Sequence, residues 1–127
     1  GNGPNYLLYR PYHLCSIETP ITAAQAVIYG ESTGHPLDHL TSECITLAKK
    51  DLKKGEVLDA IGEYCYRASI DLHSVAKEGN MLPVGLAKGA VMKCDVPKDT
   101  VITYDMVELS DKSVLVELRR MQDQLLG

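Results

Sequence analysis

The sequence predicts an α+β fold, mostly β with flanking helices, whose core of short strands repeats itself about a pseudo-two-fold axis. Two observations predict it. The first is an internal echo: Lys49, Asp51, Lys54 and Val57 recur 44 positions on as Lys93, Asp95, Lys98 and Val101. Leu47, Leu52 and Leu58 keep apolar character there as Val91, Val96 and Ile102. Two copies of one strand-turn-strand unit in a small domain suggest halves related by symmetry. The second is the pair of helical patterns, near residues 19–29 and 111–126, that flank this region.

The elements follow in order. Residues 6–14 are rich in aromatic and aliphatic types and read as extended chain. Pro11 lacks an N–H and biases Arg10 to extended geometry, so an edge or broken strand is expected. Thr19 is a good N-cap and Pro20 suits the first helical position. The helix then runs to Tyr29, with Gly30 fitted to a left-handed exit. Pro20, Ile21, Ala24, Val27 and Ile28 form one apolar stripe, which predicts one buried face.

Residues 31–43, with Gly34 and Pro36, read as a connector. The β region begins near Cys44, and Lys53-Lys54-Gly55-Glu56 predicts a turn between strands. Residues 64–68 (Tyr-Cys-Tyr-Arg-Ala) carry β-type aromatics. Residues 72–77 suit a single helical turn. Residues 81–89, punctuated by Pro83, Gly85 and Gly89, predict tight bends between short strands. In the last helix, Ser110 is the expected N-cap and Asp111 sets negative charge at the positive end. Val114, Leu118, Met121 and Leu125 recur at 4-3-4 spacing as a narrow apolar seam. Two uses are open to that seam: packing on its own domain, or docking on another domain or subunit. The expected division is residues 1–43 as a linking strand and helix, 44–110 as the β domain, and 111–127 as the terminal helix.

Composition limits the function classes. The chain has 127 residues, 45% hydrophobic and 24% charged, enough for one core without staples. Trp and Phe are absent, so the core must draw on Leu, Val, Ile, Ala and Met. A net charge of −4 argues against a nucleic-acid partner, which would need a basic excess. The lysines at 49–54 are countered by Asp51, Glu56 and Asp59 and read as a solvated face. No stretch approaches the ~20 apolar residues that cross a bilayer, and residues 1–4 show no signal-peptide layout. No membrane partner is expected, and a cytoplasmic setting is. The absence of an initiator Met suggests one piece of a longer protein. Cys15, Cys44, Cys65 and Cys94 form no Cys-x-x-Cys pair, so reduced thiols are expected, with Cys44 and Cys94 buried and inert.

Residues 47–109 carry a resemblance to a known family. Residues 48–58 (Ala-Lys-Lys-Asp-Leu-Lys-Lys-Gly-Glu-Val-Leu) and residues 82–89 (Leu-Pro-Val-Gly-Leu-Ala-Lys-Gly), with Lys93-Cys94-Asp95-Val96 and residues 101–105, resemble the SAF domain. That module occurs at the C-terminus of sialic acid synthases and in flagellar and pilus assembly chaperones. The resemblance implies a β-clip fold, in which short strands curl into two symmetric halves. Upstream, residues 9–14 (Tyr-Arg-Pro-Tyr-His-Leu) and Glu18-Thr19-Pro20-Ile21 look like the segment before this module in homoserine-dehydrogenase-like NAD(P)-dependent oxidoreductases. That group includes enzymes similar to deoxyxylulose-phosphate reductoisomerase. In them a nucleotide-binding domain comes first, a catalytic and dimerisation region second, and the SAF module last. Two departures concern loop geometry: Asp99-Thr100 replaces the usual Gly-Glu turn, and residues 62–67 lack the glycines expected on both sides of the aromatic strand.

Candidate sites are few. No Gly-x-Gly-x-x-Gly occurs, so no dinucleotide is expected to bind here in the Rossmann manner. No cofactor is expected in this chain, and NAD or NADP belongs to the parent that the resemblance implies. Arg10 and His13 are the candidate substrate-binding pair, since a guanidinium fork matches carboxylate or phosphate and an imidazole hydrogen-bonds near neutral pH. The alternative for them is structural, with Arg10 paired to Glu18. His35 and His39, four apart, would share a helix face as zinc ligands do, but no third ligand is evident and surface histidines are expected. Glu56, Asp59 and Glu63 read as a solvated rim. No catalytic residue is expected.

The resulting expectation is a C-terminal SAF-type accessory domain of such an oxidoreductase, inactive alone, covering the active site or supporting assembly. Its partners would be the parent's upstream domains and further copies of itself in a homo-oligomer. The alternative is a stand-alone, non-enzymatic module that binds a sugar-acid-like ligand or a protein.

Overall fold

The computed structural model describes residues 7, 9, 11, 14–35, 38–110 and 113–126. It divides into two compact units, 1–37 and 38–127, so the second takes in the terminal helix.

The first unit contains helix α1, Cys15–Tyr29. It starts upstream of the predicted Thr19-Pro20 signal, with the Leu14 carbonyl accepting from the N–H groups of Ile17 and Glu18 at 3.0 Å. Pro20 lies inside the helix, early enough that its missing N–H frees only the carbonyl of Ser16. Gly30 ends the helix at φ 68, the left-handed exit predicted. The expected buried face is not there: no described residue of α1 is buried, and Ile17, Ile21, Val27 and Ile28 are exposed.

The second unit begins with β1 (Ser42–Ala48), antiparallel to β2 (Tyr66–Leu72), in a register that sets Ser42 opposite Leu72 and Ala48 opposite Tyr66. Helix α2 (His73–Glu78) follows, then a 3-10 turn at Val84–Leu86. The two-residue strands β3 (Val91–Met92) and β4 (Val107–Glu108) pair antiparallel, with a second 3-10 turn, Tyr104–Met106, before β4. Helix α3, Val114–Leu126, comes last. The aromatic strand starts at Tyr66, not at the predicted Tyr64. The N–H groups of Tyr64 and Cys65 are held by the Asp59 carboxylate, at 2.8 and 3.1 Å, which keeps them in the loop.

The sequence echo is written into the main chain. Leu52 N–H donates to Val96 O at 2.8 Å and Val96 N–H returns to Leu52 O at 3.0 Å. Moving outward, the next bonds have counterparts 44 residues away. Gly55 N–H to Met92 O (2.7 Å) matches Asp99 N–H to Ala48 O (2.8 Å). Leu58 N–H to Ala90 O matches Ile102 N–H to Thr46 O, both at 2.9 Å. The bridges Val57–Val91 and Leu47–Val101 are likewise exchanged. Asp51 and Asp95 do the same with side chains: Asp51 accepts from Lys98 N–H and Asp95 from Lys54 N–H, each at 2.8 Å. This is the pseudo-two-fold core of short strands, mostly β with flanking helices, that the sequence predicts.

Equivalent positions are buried together: Ala48 with Met92, Leu52 with Val96, Leu58 with Ile102. Tyr66, Leu82 and Val107 complete the core. Thr46 is the buried polar member, and its hydroxyl donates to Leu82 O at 2.8 Å, as a buried polar group requires. The Asp99-Thr100 departure is resolved locally. Gly55 has φ 84 and Asp99 has φ 64, so the second turn uses the same left-handed geometry with Asp, which tolerates it better than most residues.

Candidate functional site

Arg10 and His13, the predicted substrate-binding pair, lie outside the described residues. His35 is exposed. His39 is exposed as well, with Nδ1 2.9 Å from Asp38 Oδ1. Among the described residues no group of three His, Cys, Asp or Glu could hold a metal ion, and no helix is long and apolar enough to cross a membrane.

Two expectations about thiols are corrected. Cys44 and Cys94 are exposed, not buried. Strand β3 ends at Met92, so Cys94 falls in the bend that follows it, and Cys44 occupies the outer face of β1. Only Cys65 is buried, and its burial pushes the thiol pKa up.

Glu56, Asp59 and Glu63 act as loop caps. Glu56 pairs with Lys50 at 2.5 Å and accepts from Lys53 N–H at 3.0 Å. The Lys50 contact, followed by the Lys53 N–H, holds its carboxyl below the usual range. Burial pushes Asp59 up, but the N–H groups of Tyr64 and Cys65 outweigh it and the net shift is downward. These carboxylates organise backbone, and no pair of them is set for acid-base work.

The described residues instead bring charge together where β1, α2 and α3 meet. Arg119, on α3, reaches Glu43 of β1 with Nη2 2.6 Å from Oε2, and its own Asp123 with Nε 2.7 Å from Oδ1. Burial pulls Arg119 down, yet the two carboxylates prevail and its pKa is raised. His73 opens α2, with Nδ1 3.8 Å from Glu43 Oε2. The side chains of Glu43, His73 and Arg119 are only 13, 12 and 18% exposed, so their partners matter more than those of a surface pair. Both ring nitrogens of His73 are buried without a hydrogen-bond partner. An orphan of that kind costs about 1–3 kcal/mol unless something fills the space beside it. There is space: a cavity of about 150 Å³ lined by Glu43, His73, Lys77, Tyr104, Arg119 and Asp123, among others. Burial raises the Tyr104 pKa, which keeps its phenol protonated and able to donate at neutral pH. The cavity offers donors and acceptors.

Sequence reasoning missed this cluster. Arg119 and Asp123 stand at helical i, i+4 spacing, a visible signal of a shared face. Nothing in the sequence joins them to Glu43 or His73.

Helix α3 also shows which face meets its own unit. Val116 is 5% exposed, and Arg119 faces the same way. The predicted seam lies open, with Val114 70%, Leu118 55%, Met121 55% and Leu125 79% exposed. At 3.6 residues per turn, the two sets are centred roughly 160° apart around the helix. The covered side carries Val116 and Arg119, and the more apolar seam is left largely open.

No family model matches the chain, and no curated protein sequence matches it. Among solved structures, the flagellar protein FlgA from Thermotoga maritima is similar at 12% identity and a TM-score of 0.45, over 80% of this chain and 55% of that one. The chain thus spans about half the length of that protein, and a likeness this loose assigns neither family nor activity.

Proposed function

We propose that this chain is a clip-type accessory module of a larger NAD(P)-dependent oxidoreductase of the homoserine-dehydrogenase-like kind, a cytoplasmic enzyme. It carries no chemistry of its own, covers the active site from one side, and supports assembly of the subunits. The parentage rests on the resemblance of residues 9–21 and 47–109 to that group. The accessory role rests on one observation, the open apolar seam of α3. A helix that turns Val116 and Arg119 to its own unit and leaves Val114, Leu118, Met121 and Leu125 uncovered is built to meet something else.

The occupant we assign to that face is the same helix of a second copy. The 4-3-4 spacing matches the seam of paired helices. Of the flanking Leu115, Glu117, Gln122 and Gln124 only Glu117 is charged, and it is paired with Arg120 of its own helix, so two copies meet there with little like-charge repulsion. Two experiments test the reading. Sedimentation of the chain should show a dimer that Leu118→Asp with Met121→Asp converts to monomer, and an unchanged sedimentation coefficient removes the assembly role. Calorimetry with NADH and NADPH should show no binding to this chain, and clear micromolar heat refutes the absence of a cofactor site. A glycine-rich strand-to-helix fingerprint in the reading frame upstream supports the oxidoreductase parent, and its absence dismisses it.

A further inference from the structure

We infer that the cavity between α2 and α3 is a binding site for a small hydroxycarboxylate of three or four carbons. The inference does not depend on the accessory-module reading, since the cavity lies wholly within residues 38–127. Its volume, about 150 Å³, is that of a cavity able to take a ligand of roughly six heavy atoms. A three-carbon hydroxy acid is of that size. A full sugar is too large.

The lining selects the chemistry. Arg119 is already shared by two carboxylates, Glu43 and Asp123, so its charge is fully answered. Lys77 lines the same space and makes no ion pair among the described residues, which leaves one positive charge available to an anion. The His73 ring adds two unpartnered nitrogens. A neutral imidazole needs one donor and one acceptor from an occupant. A carboxylate supplies the acceptor and an adjacent hydroxyl the donor. Glu43, 3.8 Å from Nδ1, is too far to hydrogen-bond to the ring itself. The free lone pairs of Glu43 and Asp123 accept from a further hydroxyl. A simple anion leaves those acceptors and one ring nitrogen unanswered, and a neutral polyol gains nothing from the charge of Lys77, which it leaves to solvent. A hydroxycarboxylate answers all of them.

The test is a nuclear magnetic resonance titration of the chain with glycerate, with glycerol and acetate in separate arms. Saturable shifts of the His73 ring protons with glycerate, at a Kd of about 1 mM or tighter, are expected. Glycerol and acetate should bind at least ~10-fold more weakly, the factor expected when a charged or hydroxyl contact is lost. Lys77→Gln, at an exposed position that leaves the core intact, should weaken glycerate by about 10-fold. His73→Phe, read at the Tyr104 ring that lines the same cavity, should abolish saturable shifts while the rest of the spectrum stays native-like. Absence of saturable shifts with glycerate overturns the inference, leaving a cavity that holds water only. Equal affinity for acetate makes it a general anion site, and equal affinity for glycerol a polyol site, and either result overturns the assignment.

Discussion

Leu52 and Val96 exchange both of their main-chain hydrogen bonds, at 2.8 and 3.0 Å, and so sit on the axis that relates the two halves of the core. Each is almost fully buried. Truncation at the axis removes packing from both halves together. Leu52→Ala is expected to cost about 2–5 kcal/mol, the range for a buried leucine whose site cannot collapse. Val96→Ala should cost less. Urea unfolding of both variants, read by circular dichroism, checks the order.

The left-handed turns predict opposite outcomes for two substitutions at one position. Asp99 holds φ 64 where its counterpart Gly55 holds φ 84. Asp99→Gly relieves backbone strain but loses the Arg67 contact at 3.1 Å between two well-exposed side chains. Exposed pairs contribute little, so the change should be close to neutral. Asp99→Val places a β-branched residue in that region and should cost about 1–3 kcal/mol. Equal melting temperatures for the two variants refute the account.

Acid should loosen the core through its caps. The Lys54 N–H first and the Lys53 ammonium second hold the Asp95 carboxyl below its usual pKa, and Glu56 and Asp59 are lowered too. A lowered folded-state pKa gives stability that is present above the unfolded value, about 4, and is lost as pH falls through the folded value. The urea midpoint should therefore decline below about pH 4. Asp95→Asn keeps an acceptor for Lys54 N–H without a titrating charge, so its decline should be shallower than that of the parent chain.

Thiol chemistry separates one cysteine from three. Cys15, Cys44 and Cys94 are exposed and Cys65 is buried with a raised pKa. Since the thiolate is the reactive form, a maleimide should label the three exposed thiols of the folded protein at neutral pH and reach the fourth only on unfolding. Mass spectrometry of the labelled chain reads the count. Labelling of Cys65 as fast as Cys94 contradicts the burial.

Helix α3 predicts a clean division between stability and association. Leu118→Asp with Met121→Asp alters exposed positions and should leave the monomer's melting temperature nearly unchanged while abolishing the dimer. Val116→Asp puts charge into the covered face and should detach the helix, lowering far-ultraviolet ellipticity. If Val116→Asp dissociates the dimer with the helix intact, the two faces have been assigned the wrong way round.

The legibility of this chain follows from where its signals sit. The repeat was readable because each half must present the same groups to the other, so Asp51 and Asp95, or Leu52 and Val96, answer one constraint twice. Gly30 and the short helix α2 were readable because their signals are local. The start of α1 was not, since Thr19-Pro20 is a strong cap signal, whereas Leu14, where the helix begins, offers only its carbonyl and no capping side chain. The exposure of Cys94 escaped because apolar alternation says little about a strand of two residues. The seam of α3 was visible but its direction was not: pattern rules take apolar as inward, and here an ion pair to Glu43 fixes the helix by its other side. The cavity escaped because Glu43, His73 and Arg119 share no segment.

The exchanged ladder also bears on how the molecule stays single. Two chains that traded halves would rebuild the exchanged ladder bonds unchanged, so ladder chemistry does not distinguish a closed molecule from an intertwined pair. That choice falls to the span between Asp59 and Ala90, where β2 lies along β1 and Tyr66 and Leu82 enter the core. Loosening those contacts is therefore the manipulation that would favour entangled dimers.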